Sequence, residues 1–481
     1  MSIQLIPDLR IIAKSLFILS AALFATSAIA IIYSEPVAPF LYSSLIALVA
    51  GGVPFLFRSE NGNSHSMSKK DAGFVVSFSW ILFSVIGSLP YIFSVSIPLF
   101  VNAFFESVSG FTTTGASILV DIEILPKSIL FWRSLTHWIG GIGIIVLVIV
   151  IMPTLQMGSY HLFTFESSVQ EKIQPKIKAV GLRLLAIYLI LTFAEIVFLM
   201  AGKMSLFESV CHSFGTVATG GFSPKNTSII EYSPYIQYVI AIFMLLAGVN
   251  FVIHYYIFKR NFKKIRDNEE LWFYLIVVFS ITAVVALILY FSMGKSPENA
   301  FRESFFQVVS IITCTGFASA DYLIWPSVAW TIIFFSMFLG GSTGSTAGGI
   351  KMARHLVLLK NIKRIFNQLR YPNAVIHLKL NNNVVSDENN RNIITFITVY
   401  LLVFAVGTVL VAFSGADGKT ASSAVATCMA GIGPGIGTVG PVSNFYHLSD
   451  SAKYILSVLM LLGRLELFTF FMLFTPAFWR K

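Results

Sequence analysis

The sequence predicts an all-α polytopic membrane protein, with two N-terminal spans and then four span–pore-loop–span repeats around one central pore. Three observations predict it. The 481 residues are 56% hydrophobic and only 12% charged, with mean hydropathy +0.79, whereas soluble domains carry about a quarter charged residues. Several apolar runs reach the roughly 18 residues that cross a hydrocarbon core about 30 Å thick, without the apolar–polar alternation of a transmembrane barrel. Finally, a small-residue motif recurs between such runs: TTTGAS (Thr112 to Ser117), ATGGFS (Ala218 to Ser223), TCTGFAS (Thr313 to Ser319) and GIGPGIG (Gly431 to Gly437).

The apolar runs place spans near 11–33, 37–57, 72–94, 128–152, 180–202, 236–258, 271–293, 325–358, 391–414 and 453–478. The net charge of +10 is not laid out as a nucleic-acid surface. It falls in clusters after the second span (Arg58, Lys69, Lys70), the fourth (Lys172, Lys176, Lys178, Arg183) and the sixth (Lys259, Arg260, Lys263, Lys264, Arg266). The largest follows the eighth, from Lys351 and Arg354 through Lys360, Lys363, Arg364, Arg370 and Lys379. Arg10 and Lys14 precede the first span, and Arg480 and Lys481 close the chain. The positive-inside rule therefore puts these loops and both termini in the cytoplasm. The first run has no small-residue cleavage site and a second span follows closely, which excludes a removable signal peptide. Cys211, Cys314 and Cys428 form no CxxC pair, so neither a zinc site nor a disulfide framework is indicated.

Between the third and fourth, fifth and sixth, seventh and eighth, and ninth and tenth spans lie half-apolar stretches at 101–111, 205–216, 300–312 and 419–431. Each is too short to span and has the length of a re-entrant helix. Aligned on Gly115, Gly220, Gly316 and Gly435, they recur about a hundred residues apart. This divides the chain into 1–70, the two extra spans, and four pore repeats at 71–165, 166–266, 267–380 and 381–481. Irregular backbone at membrane depth survives only where it is buried in protein or lines a water-filled cavity. Four such loops in register on one side fit a ring around an axis.

A cation leaving water needs its hydration shell replaced by oxygens, and backbone carbonyls from four loops can do this. The matching quartets are Thr112-Thr113-Thr114-Gly115, Val217-Ala218-Thr219-Gly220, Thr313-Cys314-Thr315-Gly316 and Ile432-Gly433-Pro434-Gly435. Glycine allows backbone angles that turn carbonyls inward, and threonine can add a hydroxyl oxygen. No loop brings a ring of acids, which suits a weakly hydrated monovalent cation better than Mg2+. Half-helices entering from outside would aim four negative dipole ends at the ion. Asp121, Glu123, Asp321 and Asp417 lie near the outer mouth, either concentrating cations there or serving as ordinary solvated loop acids.

The run GGSTGSTAGGIK, Gly340 to Lys351, interrupts the eighth span. Gly344 and Gly349 have phosphate-loop separation, but Ile350 intervenes before Lys351 and the GK[ST] ending fails. With Gly340, Gly341, Ser342, Thr343, Gly344, Ser345, Thr346, Ala347, Gly348 and Gly349 in one stretch, a continuous helix is disfavoured. Such a break beneath a filter reads as a gate, or as a close-packing segment of small residues. Arg464 lies inside the last span, where a charge is costly and usually functional. Glu466, two residues on, faces elsewhere on the helix. The structural alternative for Arg464 is an ion pair with another helix. His137, His212 and His254 form no metal-ligand pattern, and Glu195 alone offers a site for proton coupling. No acid–base or metal constellation supports a membrane-integral enzyme.

The four loops, GGSTGSTAGGIK and the ending GRLELFTFFMLFTPAFWR resemble the TrkH family, membrane subunits of bacterial Trk potassium-uptake systems in the Trk/Ktr/HKT superfamily. The resemblance covers nearly the whole chain. It implies K+ and Rb+ uptake across the bacterial inner membrane through a four-loop filter, with no cofactor held beyond K+ ions. It further implies a homodimer in the lipid bilayer and a cytoplasmic ring of nucleotide-binding, TrkA-like subunits. The residues from Gly340 to Lys351 would be the intramembrane gating loop, and Arg464 would project into the pore beneath the filter, lower cation occupancy there and form part of the permeation barrier. In the fourth loop Ala430 and Gly431 stand where relatives carry asparagines, and Pro434 stands where the other quartets, as aligned, have threonine. Sodium-coupled or sodium-permeable transport within the same superfamily is the alternative.

Overall fold

Long apolar runs with few charges satisfy their backbone polar groups internally as helices, and helices dominate the computed structural model. It describes residues 5–57, 69–146, 173–467 and 470. Arg58, Lys172, Arg480 and Lys481, and the expected span residues 147–152 and 471–478, lie outside the described residues.

Six described helices are long and apolar enough to cross a membrane: Ile6–Ile32, Ala38–Leu56, Lys70–Phe93, Val180–Ala201, Glu269–Met293 and Asp387–Phe413. These are the two N-terminal helices and the first helix of each repeat, so the chain is a multi-pass membrane protein. The second helices of the repeats differ. Lys127–Val146 carries Arg133 and His137, both buried. The expected span 236–258 is a bent pair, Pro234–Ala247 and Phe251–Phe258, turning by 100°. The expected span 325–358 is broken: Ser327–Ser336 ends, irregular backbone follows, and Met352–Arg370 resumes as a basic helix. The last repeat's helix, Asp450–Arg464, ends in a turn over 465–467. Unbroken helices thus form the periphery. Breaks fall on helices that pack inward, where protein supplies the missing hydrogen bonds.

Four short helices follow the first helices of the repeats: Phe100–Phe111, Leu206–Val217, Pro297–Ile312 and Gly418–Ala430. They match the four re-entrant stretches to within three residues at either end. Ser205, Ser296 and Asp417 cap the last three, each accepting a backbone N–H from the first turn. The second helix of one repeat packs on the short helix of the next: Lys127–Val146 on Leu206–Val217, and Pro234–Ala247 on Pro297–Ile312. Asp450–Arg464 returns to Phe100–Phe111, closing the circle.

Candidate ion pathway

Each short helix ends in the same way. A backbone N–H five residues beyond its acceptor closes the last turn: Thr114 to Ser109 O (2.9 Å), Gly220 to Gly215 O (2.7 Å), Thr315 to Ser310 O (2.9 Å) and Ile432 to Thr427 O (2.9 Å). The residue before each is left-handed: Thr113 (φ 53°), Thr219 (56°), Cys314 (57°) and Gly431 (73°). Left-handed backbone is costly for threonine and cysteine. Here the helix-end bonds offset the cost, as in a Schellman cap.

Two residues past the left-handed position comes a glycine with positive φ in all four loops: Gly115 (79°), Gly221 (79°), Gly316 (86°) and Gly433 (96°). A methyl on Gly115 would strike the Gly220 carbonyl, one on Gly221 the Thr315 carbonyl, and one on Gly316 the Ile432 carbonyl. One on Gly433 would come 2.8 Å from the Thr114 carbonyl oxygen. The contacts run from loop one to two, two to three, three to four and four to one. The four loops therefore form a closed ring around one axis. Thr114, Gly220, Thr315 and Ile432 bring carbonyl oxygens that accept no backbone hydrogen bond among the described residues.

This register corrects the alignment read from the sequence. Gly221 rather than Gly220 is the partner of Gly115 and Gly316, and Gly433 rather than Gly435 completes the set. The equivalent quartets are Thr112–Gly115, 218–221, Thr313–Gly316 and 430–433. Val217 is instead the last residue of its helix. Pro434 lies one position past the ring, level with Ala116, Phe222 and Phe317, so no proline replaces a ring threonine. Gly435 lies two past it. The ring positions of the fourth loop are Ala430, Gly431, Ile432 and Gly433. Threonine hydroxyls serve the loops' own rigidity: Thr112 Oγ1 donates to Val108 O (2.7 Å) and contacts Thr114 Oγ1 (2.8 Å), and Thr313 with Thr315 repeats the pattern.

One face of the ring opens into a cavity lined by Gly115, Gly221, Gly316 and Gly433 with Arg133 and Lys225. The segment from Gly340 to Lys351 lies against the other face. Gly340 N donates to Ile350 O (3.0 Å), Ser342 N to Gly248 O (2.9 Å) and Met352 N to Gly341 O (3.1 Å), so the segment doubles back on itself. The Thr346 hydroxyl donates to Val217 O (3.0 Å), at the end of the second short helix. Glycine at Gly348 lets the backbone approach the Ala430 carbonyl, and the Cys314 thiol faces Gly349. Ser345 and Ala347 are buried, Gly344 is half-buried, and Lys351 Nζ donates to Ala347 O. The Glu270 carboxylate accepts from Thr343 N (2.6 Å) and Ala353 N (3.0 Å), tying the segment to the first turn of the helix that follows it.

Arg464 reaches this segment from the last repeat. Its Nη1 donates to Thr346 O (2.9 Å) and its Nη2 to Gly140 O (3.2 Å). The partners are backbone carbonyls, and no ion pair with another helix forms among the described residues. Glu466 pairs instead with Arg354 (2.7 Å), on the helix that leaves the segment.

A model of the TrkH cation transport protein family matches residues 39–481. The chain belongs to the TrkH family. Its relatives include the Escherichia coli (strain K12) Trk system potassium uptake protein TrkH, 35% identical over 480 residues that cover 98% of this chain and 99% of that one. The TrkH protein of Halomonas elongata is 33% identical, each chain covered completely. The crystal structure of the potassium transporter TrkH from Vibrio parahaemolyticus superposes with a TM-score of 0.91 at 33% identity, covering 99% of this chain and 100% of that one.

Within this TrkH-family fold, sequence reasoning missed Glu106, Arg133 and Gln307 among the polar groups that hold the loops. Glu106, buried in the first short helix, accepts from Arg133 Nε (2.9 Å) and from Ile118 N (2.9 Å). At the same helical position His212 Nε2 meets Ser223 Oγ (3.1 Å), and Gln307 Nε2 donates to Ala320 O (2.9 Å). Each stands seven residues before the left-handed residue of its loop, a register that the sequence does not mark. His137 is buried against Phe222 and behind Gly220, whose missing side chain makes room for its ring. The acids expected near an outer mouth have local partners. Asp121 accepts from Asn226 Nδ2 (2.8 Å), Glu123 pairs with Lys225 (3.3 Å), and Asp321 caps the turn at Leu323. Hydrogen bonds from Thr420 hold the Asp417 carboxyl below the usual carboxylate range.

Proposed function

We propose that this chain is the K+-translocating membrane subunit of a bacterial Trk potassium-uptake system, passing K+ and Rb+ inward. The carrying observation is the closed ring of four loops, each presenting beside a positive-φ glycine a carbonyl that accepts no backbone hydrogen bond among the described residues. Such oxygens replace the hydration shell of a weakly hydrated monovalent cation. The C-terminal ends of four short helices converge there and add negative potential. A membrane potential supplies roughly 2.3 kcal/mol per 100 mV for each charge moved inward.

Residues 340–351 act as the gate: they fill the space on one side of the ring and are pinned by Arg464 and Glu270. Arg464 also places a positive charge on the path and lowers cation occupancy there. Opening requires an input from outside the membrane, and a cytoplasmic ring of TrkA-like, nucleotide-binding subunits supplies it. The basic helix Met352–Arg370 leads directly from the gate and is the natural docking element for that ring. The assembly is a homodimer in the bacterial inner membrane, with both termini cytoplasmic. The chain divides into 1–70, 71–165, 166–266, 267–380 and 381–481.

Isotope flux in proteoliposomes tests this reading. Rb+ uptake is expected to exceed Na+ uptake, and to change when the cytoplasmic subunit and its nucleotide are added. Equal Rb+ and Na+ uptake would favour the sodium-permeable alternative.

A further inference from the structure

Two residues beyond each ring glycine lies a carbonyl whose hydrogen bond crosses to the neighbouring repeat. Arg133 Nη1 of the first repeat donates to Ser223 O in the second loop (3.3 Å). Ile229 N of the second donates to Ala318 O in the third (3.0 Å). The Tyr322 hydroxyl of the third donates to Gly435 O in the fourth (2.6 Å). Phe445 N of the fourth donates to Ser117 O in the first (2.8 Å). Ser117, Ser223, Ala318 and Gly435 are equivalent positions in the register set by the four ring glycines. Two of the donors are backbone amides and two are side chains, yet at every seam one such bond runs from a repeat to this carbonyl of the next. At the second seam Ala318 N returns a bond to Ser228 Oγ (3.1 Å).

We propose that these four bonds form a cuff that fixes the diameter of the carbonyl ring, and that Tyr322 and Arg133 are specificity-determining positioning residues. The inference rests on the filter reading above and adds what sets its selectivity. Carbonyls that must hold one ion size and reject another need a frame that resists drawing inward around the smaller ion. Bonds within a single loop cannot provide this, because they leave the loops free to move relative to one another. Only bonds across the seams resist it.

The two side-chain members close opposite seams, and both are buried. Tyr322 is fully enclosed, and its hydroxyl spends its proton on the Gly435 carbonyl. Arg133 is held in place by Glu106, whose carboxylate neutralises a cation that would otherwise repel ions beside the ring. Its Nη2 also donates to Ser117 Oγ (3.3 Å), so one guanidinium joins the first and second loops. A lysine there keeps the charge but lacks the planar fork that reaches both loops.

The test is the ratio of Rb+ to Na+ uptake in proteoliposomes, measured for the full chain with its regulatory subunit, alongside thermal stability in detergent. Tyr322→Phe removes one oxygen and nothing else, and the ratio is expected to fall about fivefold, the worth of one intramolecular hydrogen bond. Arg133→Lys is expected to lower the ratio by a similar factor while Rb+ uptake itself persists. A merely structural role would lower stability and total uptake and leave the ratio alone. Folded Tyr322→Phe protein with the wild-type ratio overturns the cuff, whatever Arg133→Lys does. If wild type itself does not discriminate, the filter reading falls, and the cuff with it.

Discussion

Replacing Gly221 by alanine is expected to reduce Rb+ uptake by at least about a hundredfold, equivalent to roughly 2.7 kcal/mol at the rate-limiting barrier. The backbone there has φ 79°, which L side chains rarely adopt, and the new methyl would overlap the Thr315 carbonyl. Relief requires either the glycine's own loop to unwind or the Thr315 oxygen to leave the axis, and both remove a ligand. Gly316→Ala should behave alike, because its methyl meets the Ile432 carbonyl. Gly52, in the second helix, has nothing within 4 Å of an added methyl, so Gly52→Ala serves as the control and should leave uptake unchanged. Proteoliposome uptake read against the amount of folded protein checks both. Full uptake in folded Gly221→Ala would remove this residue from the pathway.

Arg464→Ala is expected to act in the opposite direction, raising Rb+ uptake in the absence of any cytoplasmic subunit by tenfold or more. The guanidinium makes two hydrogen bonds, to Thr346 O at 2.9 Å and Gly140 O at 3.2 Å. A hydrogen bond from a charged donor contributes about 1.5–3 kcal/mol, enough to shift a closed–open balance by roughly ten- to a hundredfold. The same change removes a positive charge from the path. Arg464→Lys separates these contributions. If the pin dominates, lysine also raises uptake, since it lacks the fork that holds two carbonyls. If the charge dominates, lysine stays as low as wild type. Shortening Gly344–Gly349 should raise uptake in either case. Unchanged uptake in folded Arg464→Ala would dismiss both contributions.

The architecture was legible because membrane burial writes itself into composition. Unbroken apolar runs became the peripheral helices, and four half-apolar stretches became the short helices almost residue for residue. The break in the eighth span was legible too, since Gly340 to Gly349 cannot sustain a helix. The ring register was harder to read. In the second loop Gly220 and Gly221 are adjacent, and only the capping bond from Gly220 N to Gly215 O decides which one turns. In the fourth loop Gly431, Gly433, Gly435 and Gly437 alternate, so residue identity carries no register, and the bond from Ile432 N to Thr427 O supplies it. The left-handed positions were hidden for the converse reason: three of the four are Thr113, Thr219 and Cys314, not glycine.

Side-chain roles that depend on backbone partners were equally invisible. Arg464 ends on carbonyls of Thr346 and Gly140, far away in sequence. Glu270 stands at the start of a span, where an acid looks like ordinary helix-end chemistry, yet it ties Thr343 in the segment to Ala353 in the helix that follows. Glu106 and Arg133 lie 27 positions apart in two apolar helices, and nothing in their spacing suggests that they meet.

Anomalous scattering from crystals of the full chain soaked in Tl+, a K+ surrogate of similar size, tests the central claim most directly. The account predicts an ion peak on the axis of the ring, within coordination distance of the Thr114, Gly220, Thr315 and Ile432 carbonyls. That peak should be lost in Gly221→Ala. Tl+ bound only at surface carboxylates, with the ring empty, would contradict it.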